Sequence, residues 1–165
     1  MFYLFNFFRN HKTIKLKAPL TGKVLRLSEI PDEVFSKRVI GDGVAIRPTE
    51  GKLVSPVEGV IKYISPTKHA IAIKTEKDIE ILVHIGINTV KLEGTGFKQR
   101  VKQGDRVNLG DELITFNLDY IRQEAVSSIT PILVVDVDRL KKIEIANTSN
   151  VKKGVDELLK ISLRN

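Results

Sequence analysis

The stretch HAIAIKTEKDIEILVHI, residues 69–85, decides how this chain folds. Its second half alternates: Ile79, Ile81, Val83 and Ile85 fall on one face, and Glu80, Leu82 and His84 on the other. A period of two is the strand period, and the aliphatic face is core. His69–Thr75 reads as a second strand, and Glu76-Lys77 has the length of a hairpin loop. With that loop, Thr75 faces Asp78, Ile73 faces Glu80, Ile71 faces Leu82 and His69 faces His84. Directly opposed Cβ atoms lie about 4.5–5.5 Å apart, so two imidazoles meet away from the core. Loop length carries this register. Glu-Lys is not a favoured hairpin turn, and an odd loop slides the pairing by one residue and separates the two side chains.

Outward from the hairpin the same grammar repeats. Short runs at Gly22–Leu27, Val44–Arg47, Val57–Ile64, Arg106–Leu109, Leu113–Asn117, Ile132–Val135 and Ile143–Ala146 are separated by Gly, Pro and Asp turns. This spacing predicts an all-β sandwich or barrel. Short helical segments are expected at Leu118–Val126 and Asp138–Lys142. Ala18-Pro-Leu-Thr-Gly-Lys-Val24 resembles Ser55-Pro-Val-Glu-Gly-Val-Ile61, and Val107–Leu113 loosely resembles Val151–Leu158. These echoes fit repeated turn-strand units, although Pro-x-x-Gly and Gly-Asp are also common turn chemistry.

The 165 residues suit one domain with a real core. There is no Cys, which excludes disulfides, thiolate nucleophiles and zinc-thiolate sites. No apolar run has the length of a bilayer span. The net charge of +7 is concentrated at one end. Arg9, Lys12, Lys15, Lys17, Lys23 and Arg26 precede the first acidic residue, Glu29, and the remainder is nearly neutral. Phe2, Tyr3, Phe5, Phe7 and Phe8 crowd the same end. The charge map argues against a nucleic-acid partner, which needs a basic face on the folded body. Residues 1–12 read as an aromatic and basic segment, with residues 1–17 a candidate for reversible contact with a membrane surface. They lack the order of a signal peptide, so a cytoplasmic protein, peripheral at the inner membrane face, is expected.

His11 sits in that head, leaving His69 and His84 as the chemical candidates. A zinc site needs at least three protein ligands, and no His-x-His or His-Glu-x-x-His spacing occurs, although a third carboxylate ligand stays open. Alternatively one imidazole is a nucleophile and the other its helper. Imidazole is largely neutral at cellular pH, and its free nitrogen can attack phosphorus. The second ring can donate a hydrogen bond to the phosphoryl oxygens. There is no nucleotide-binding loop or Gly-x-Ser-x-Gly, and Gly41-Asp-Gly43 reads as a turn. The phosphoryl donor is therefore expected to be a protein.

Seven motifs occur in order: Ala18–Gly22, Val39–Pro48, Ser55–Gly59, Thr67-Lys-His-Ala70, Leu82–Val90, Gly94-x-Gly-Phe97 and Gly104-Asp-x-Val-x-x-Gly-Asp111. Together they resemble the glucose-type enzyme IIA of the bacterial phosphoenolpyruvate-dependent sugar phosphotransferase system, from about Thr13 to about Leu163. The resemblance implies an antiparallel β-sandwich of the duplicated hybrid motif type over residues 13–165. It implies that His84 is phosphorylated, that His69 stabilises the phosphoryl group and that Thr67 orients the pair. Phospho-HPr would be the donor and the IIB domain of a sugar permease the acceptor, with no cofactor or metal. Val34, Phe35, Val39, Ile40, Ile46, Leu82 and Val90 match an apolar docking rim. The family's usual Asp after the active His is Asn88 here, and Ser65 and Ala72 stand where larger apolar side chains are common. A phosphorylation-dependent regulatory binding protein and a zinc hydrolase on a related sandwich are the competing readings.

Overall fold

A computed structural model describes residues 12–165. The aromatic head through His11 lies outside the described residues. Strands β1 (Thr13–Lys17), β2 (Gly22–Leu25), β3 (Asp42–Pro48), β4 (Lys52–Val54), β5 (Gly59–Ile64), β6 (Ala70–Lys74) and β7 (Glu80–His84) fill the first half. Strands β8 (Phe97–Gln99), β9 (Arg106–Val107), β10 (Glu112–Phe116), β11 (Thr130–Val134), β12 (Leu140–Ile145), β13 (Asn150–Val151) and β14 (Glu157–Leu163) follow. Helices α1 (Glu33–Ser36) and α2 (Leu118–Glu124) are short. The strands form antiparallel sheets of order β1-β14-β12, β4-β10-β8 and β13-β2-β3-β11-β7-β6-β5-β9.

The main core lies between the eight-stranded sheet and the two smaller ones. It takes Val44, Ile71, Ile81 and Val83 from the large sheet and Leu16, Leu53, Ile114 and Ile161 from the small ones. Ile79, Ile81, Val83 and Ile85 are all fully buried, as the alternation requires. The other face of the large sheet holds a smaller cluster: Leu25, Ala45, Ile87 and Leu133, with Leu82 packed against it. Residues 26–40 fold over this cluster and contribute Leu27, Ile30 and Phe35. Asp32 caps α1 by accepting from Val34 N–H at 2.9 Å, which starts the helix where Phe35 must turn inward.

The sequence echoes are a true duplication of structure. Gly22 opens β2 and Gly59 opens β5, and in each a Cβ would strike a carbonyl of the next strand, at Arg47 and Lys74. Gly154 N–H donates to Ala18 O and Gly110 N–H to Ser55 O. β13 then pairs with β2 just as β9 pairs with β5. The large sheet therefore reads nearly the same from both ends.

Two local expectations are corrected. Asp138–Lys142 supplies only a 3-10 turn, Val137–Arg139, because Leu140 and Lys142 join β12 and pair with β14. Asp42 and Gly43 lie inside β3 rather than in a turn, paired with β11.

Candidate functional site

The hairpin at the centre of the large sheet differs from its expected register by one residue. Ala70 faces His84, Ile71 faces Val83, Ala72 faces Leu82 and Ile73 faces Ile81. The loop has three residues, Glu76 to Asp78, with Asp78 at φ 62°. Asp78 N–H donates to Thr75 O, and Thr75 N–H to Ile79 O. This is a turn closed by a left-handed residue, the three-residue hairpin connection. His69 therefore does not oppose His84 within the ladder. It lies just before β6, in a tight loop where Lys68 has φ 61° and donates to Ser65 O. That loop, rather than strand alternation, brings His69 across to its partner. The ring centroids are 4.8 Å apart in an edge-on arrangement, interplanar angle 77°.

Each imidazole has its Nδ1 engaged. His84 Nδ1 lies 2.8 Å from Gly86 O. A carbonyl only accepts, so Nδ1 carries the proton and Nε2 keeps its lone pair. His69 Nδ1 lies 2.6 Å from Thr67 Oγ1 and 3.4 Å from Ser65 Oγ. A hydroxyl donating to Nδ1 leaves the proton of His69 on Nε2. Ser65 Oγ also accepts from Ala70 N–H at 3.1 Å, fastening the loop that carries the ring.

Burial disfavours the charged form of both rings. Burial pushes His69 down to about 4, and the neighbouring His84 adds to the effect. Burial also lowers His84, opposed by its hydrogen bond to Gly86 and by the negative charge of Asp32. Part of that burial comes from Phe35, whose ring centroid is 5.0 Å from that of His84.

The loop after β7 aims the Gly86 carbonyl. Gly86 has φ 72°, and a Cβ there would lie 2.6 Å from Thr89 Cγ2 and 2.9 Å from Ser127 O. Gly86 N–H donates to Thr130 Oγ1, and Thr89 Oγ1 donates to Ile85 O. Asn88 precedes the 3-10 turn Thr89–Leu92 at φ 61°, a conformation that Asn and Asp adopt at small cost.

The expected docking residues divide. Val34, Val39, Ile40 and Val90 are exposed, Val39 to 70%, and Leu82 is half-buried on the His84 face. Ile46 belongs to the main core and is fully buried, because it alternates with Ala45 along β3. It offers no surface to a partner. Phe35 is also buried, against His84. Sequence reasoning missed the Gly86 carbonyl, the Phe35–His84 contact and the charge of Asp32. Ser65 was visible only as a small polar residue in an apolar position. Among the described residues no group of three or more His, Cys, Asp or Glu side chains is placed to hold a metal ion.

Residues 14–140 match the family model for the phosphoenolpyruvate-dependent sugar phosphotransferase system, EIIA 1. A PTS system glucose-specific EIIA component of Bacillus anthracis is 47% identical over 155 residues, 94% of this chain and 93% of the relative. One from Staphylococcus epidermidis is 43% identical over 152 residues, 92% of each chain. The solved structure of glucose permease IIA from Mycoplasma capricolum superimposes with a TM-score of 0.85 at 39% identity, covering 90% of this chain and 96% of that one. With a matching model over most of its length and relatives this similar, the chain belongs to the EIIA 1 family of the sugar phosphotransferase system.

Proposed function

We propose that this protein is a phosphocarrier that accepts a phosphoryl group from phospho-HPr on His84 Nε2 and passes it to a IIB domain of a sugar permease. The observation that carries the reading is the hydrogen bond from His84 Nδ1 to Gly86 O at 2.8 Å. It leaves the lone pair on Nε2, beside a second neutral imidazole. That electron pair forms the new N–P bond while the donor's N–P bond breaks and its pair returns to the donor nitrogen. Nδ1 keeps its proton throughout, and Gly86 O stabilises the positive charge on the ring. His69 donates from Nε2–H to a phosphoryl oxygen, and Thr67 holds its ring in the required tautomer. Such transfer is mainly positioning and charge stabilisation. A partly apolar surround limits the access of water to the phosphoimidazole.

The exposed Val34, Val39, Ile40 and Val90 support a docking role around the pair. Asn88, an uncharged residue in the loop that follows His84, tunes the transfer equilibrium with donor and acceptor. The basic, aromatic residues 1–17 hold the domain reversibly at an anionic membrane surface, with about 1 kcal/mol from each basic side chain at the lipid. Among the described residues no helix is long and apolar enough to cross a membrane. Neither the regulatory nor the zinc-hydrolase reading has an observation of its own in its favour. Incubation with enzyme I, HPr and labelled phosphoenolpyruvate tests the proposal. Label must appear on the protein, and His84→Ala must abolish it. Labelling unchanged by that substitution overturns the assignment.

A further inference from the structure

Strand β5 contains an irregularity beside the site. Ile61 faces Ile73, but Tyr63 faces Ala72, so Lys62 is an extra residue in the ladder. Simple alternation would place Tyr63 on the side of Ile61, in the core. The bulge reverses that. Tyr63 joins the row Tyr63–Ala72–Leu82–Leu133 on the opposite face. This is the face that carries His84, two residues beyond Leu82. Re-aiming one side chain is a known use of a bulge. Lys62 points to the same side, where its Nζ lies 2.9 Å from Glu80 Oε2.

The result is a large aromatic side chain, 47% exposed, on a sheet face that is only partly covered: Leu82 and His84 are half-buried. Ala72 beside it has too little side chain to cover the ring. Leu82, half-buried, continues the apolar track towards His84. Tyr63 is two strands and two residues from His84, about 12 Å at ordinary strand spacings. A standard interface buries about 800 Å² on each partner, a footprint about 16 Å in radius. Any protein that delivers a phosphoryl group to His84 centres its footprint there, and the footprint reaches Tyr63.

We infer that Tyr63 is a docking anchor for the protein that delivers the phosphoryl group to His84, seated against an apolar patch of that donor. The inference rests on the phosphocarrier reading and extends it to the outer strand. Tyrosine suits the role: it offers a large rigid area at small entropic cost, and such side chains dominate interface energies. Its contribution is to binding and not to the chemical step, because it lies too far from Nε2 to touch the group in transit.

The test is the rate of phosphoryl transfer from phospho-HPr at varied HPr concentration. Tyr63→Ala is expected to raise KM about tenfold, with kcat changed less than about twofold. Tyr63→Phe keeps the ring and stays near the wild-type KM. Val155→Ala, which trims a comparably exposed side chain in the turn between β13 and β14, leaves KM unchanged. Titration of unphosphorylated HPr into the isotope-labelled protein shifts the amide resonances of Tyr63 and Ala72, which needs no variant at all. An unchanged KM in Tyr63→Ala, an equal rise in Val155→Ala, or silent resonances along the row overturns the anchor and leaves the phosphocarrier reading intact. A wild-type protein that takes no phosphoryl group from phospho-HPr overturns both.

Discussion

Replacing His69 with Gln should flatten the acid dependence of stability. In the folded protein His69 is held neutral down to about pH 4, first by burial and then by His84, against an ordinary value of 6.5. The unfolded chain takes up the proton below 6.5, and the folded one refuses it. Stability falls wherever the unfolded state binds more protons as pH decreases. The contribution is therefore fully present above pH 6.5, is lost progressively towards pH 4 and changes no further below that. The interval from 6.5 to about 4 corresponds to about 3 kcal/mol in total, of which about 2 kcal/mol has gone by pH 5. Gln fills similar space, keeps a hydrogen-bonding group for Thr67 and does not titrate. Burial of His84 acts in the same direction but is present in both proteins. Urea unfolding followed by circular dichroism from about pH 7.5 to about pH 5 gives the comparison. The wild type should lose about 2 kcal/mol more than His69→Gln across that range. Parallel profiles would refute the claim that His69 is buried as a neutral base.

Four further outcomes follow from the same geometry. Gly86→Ala puts a Cβ against Thr89 and Ser127 at positive φ, so it should cost about 1–3 kcal/mol in thermal denaturation and also slow labelling of His84 by turning the carbonyl away from Nδ1. Thr67→Ala removes the 2.6 Å partner of His69 Nδ1; nitrogen chemical shifts should report a mixed His69 tautomer, and transfer to a IIB domain should fall about tenfold to a hundredfold at nearly normal stability. Asn88→Asp keeps the left-handed backbone but adds a negative charge four residues from His84, so an NMR titration should find the His84 pKa higher than in the wild type, and an identical value would contradict the charge argument. Deleting residues 1–10 should weaken cosedimentation with anionic vesicles, and unchanged binding ends the membrane-surface proposal.

What the sequence made legible follows the strength of each local signal. The Ile79–Ile85 alternation is unambiguous, and all four of its core residues are fully buried. The Ala18–Val24 and Ser55–Ile61 echoes predict equivalent turns, and the same hydrogen bonds recur in both. The hairpin register was not legible, because nothing in Glu76-Lys77 announces that Asp78 adopts φ 62° and lengthens the loop. The His pair survives that slip only because His69 sits in a loop outside β6, where alternation no longer governs it. Strands β4 and β8, three residues each, are too short to show a period. β1 alternates over only five residues, and in β14 the pair Leu158-Leu159 breaks the period; the two strands form through pairing with each other, a long-range contact. The error at Ile46 has the same origin: a resemblance carries residue types across, but the side of β3 on which Ile46 falls is fixed by the sheet. Tyr63 is the converse case, since the bulge at Lys62 inverts the side that alternation assigns to it.

In the proposed function His84 Nε2, held ready by the Gly86 carbonyl and flanked by His69, carries the phosphoryl group. Phosphorus and nitrogen NMR of the protein phosphorylated by phospho-HPr tests it most directly. One phosphohistidine is expected, with phosphorus coupled to Nε2 of His84 and the proton still on Nδ1. Phosphorus bound to Nδ1 of His84, or to His69 in the wild-type protein, would contradict it.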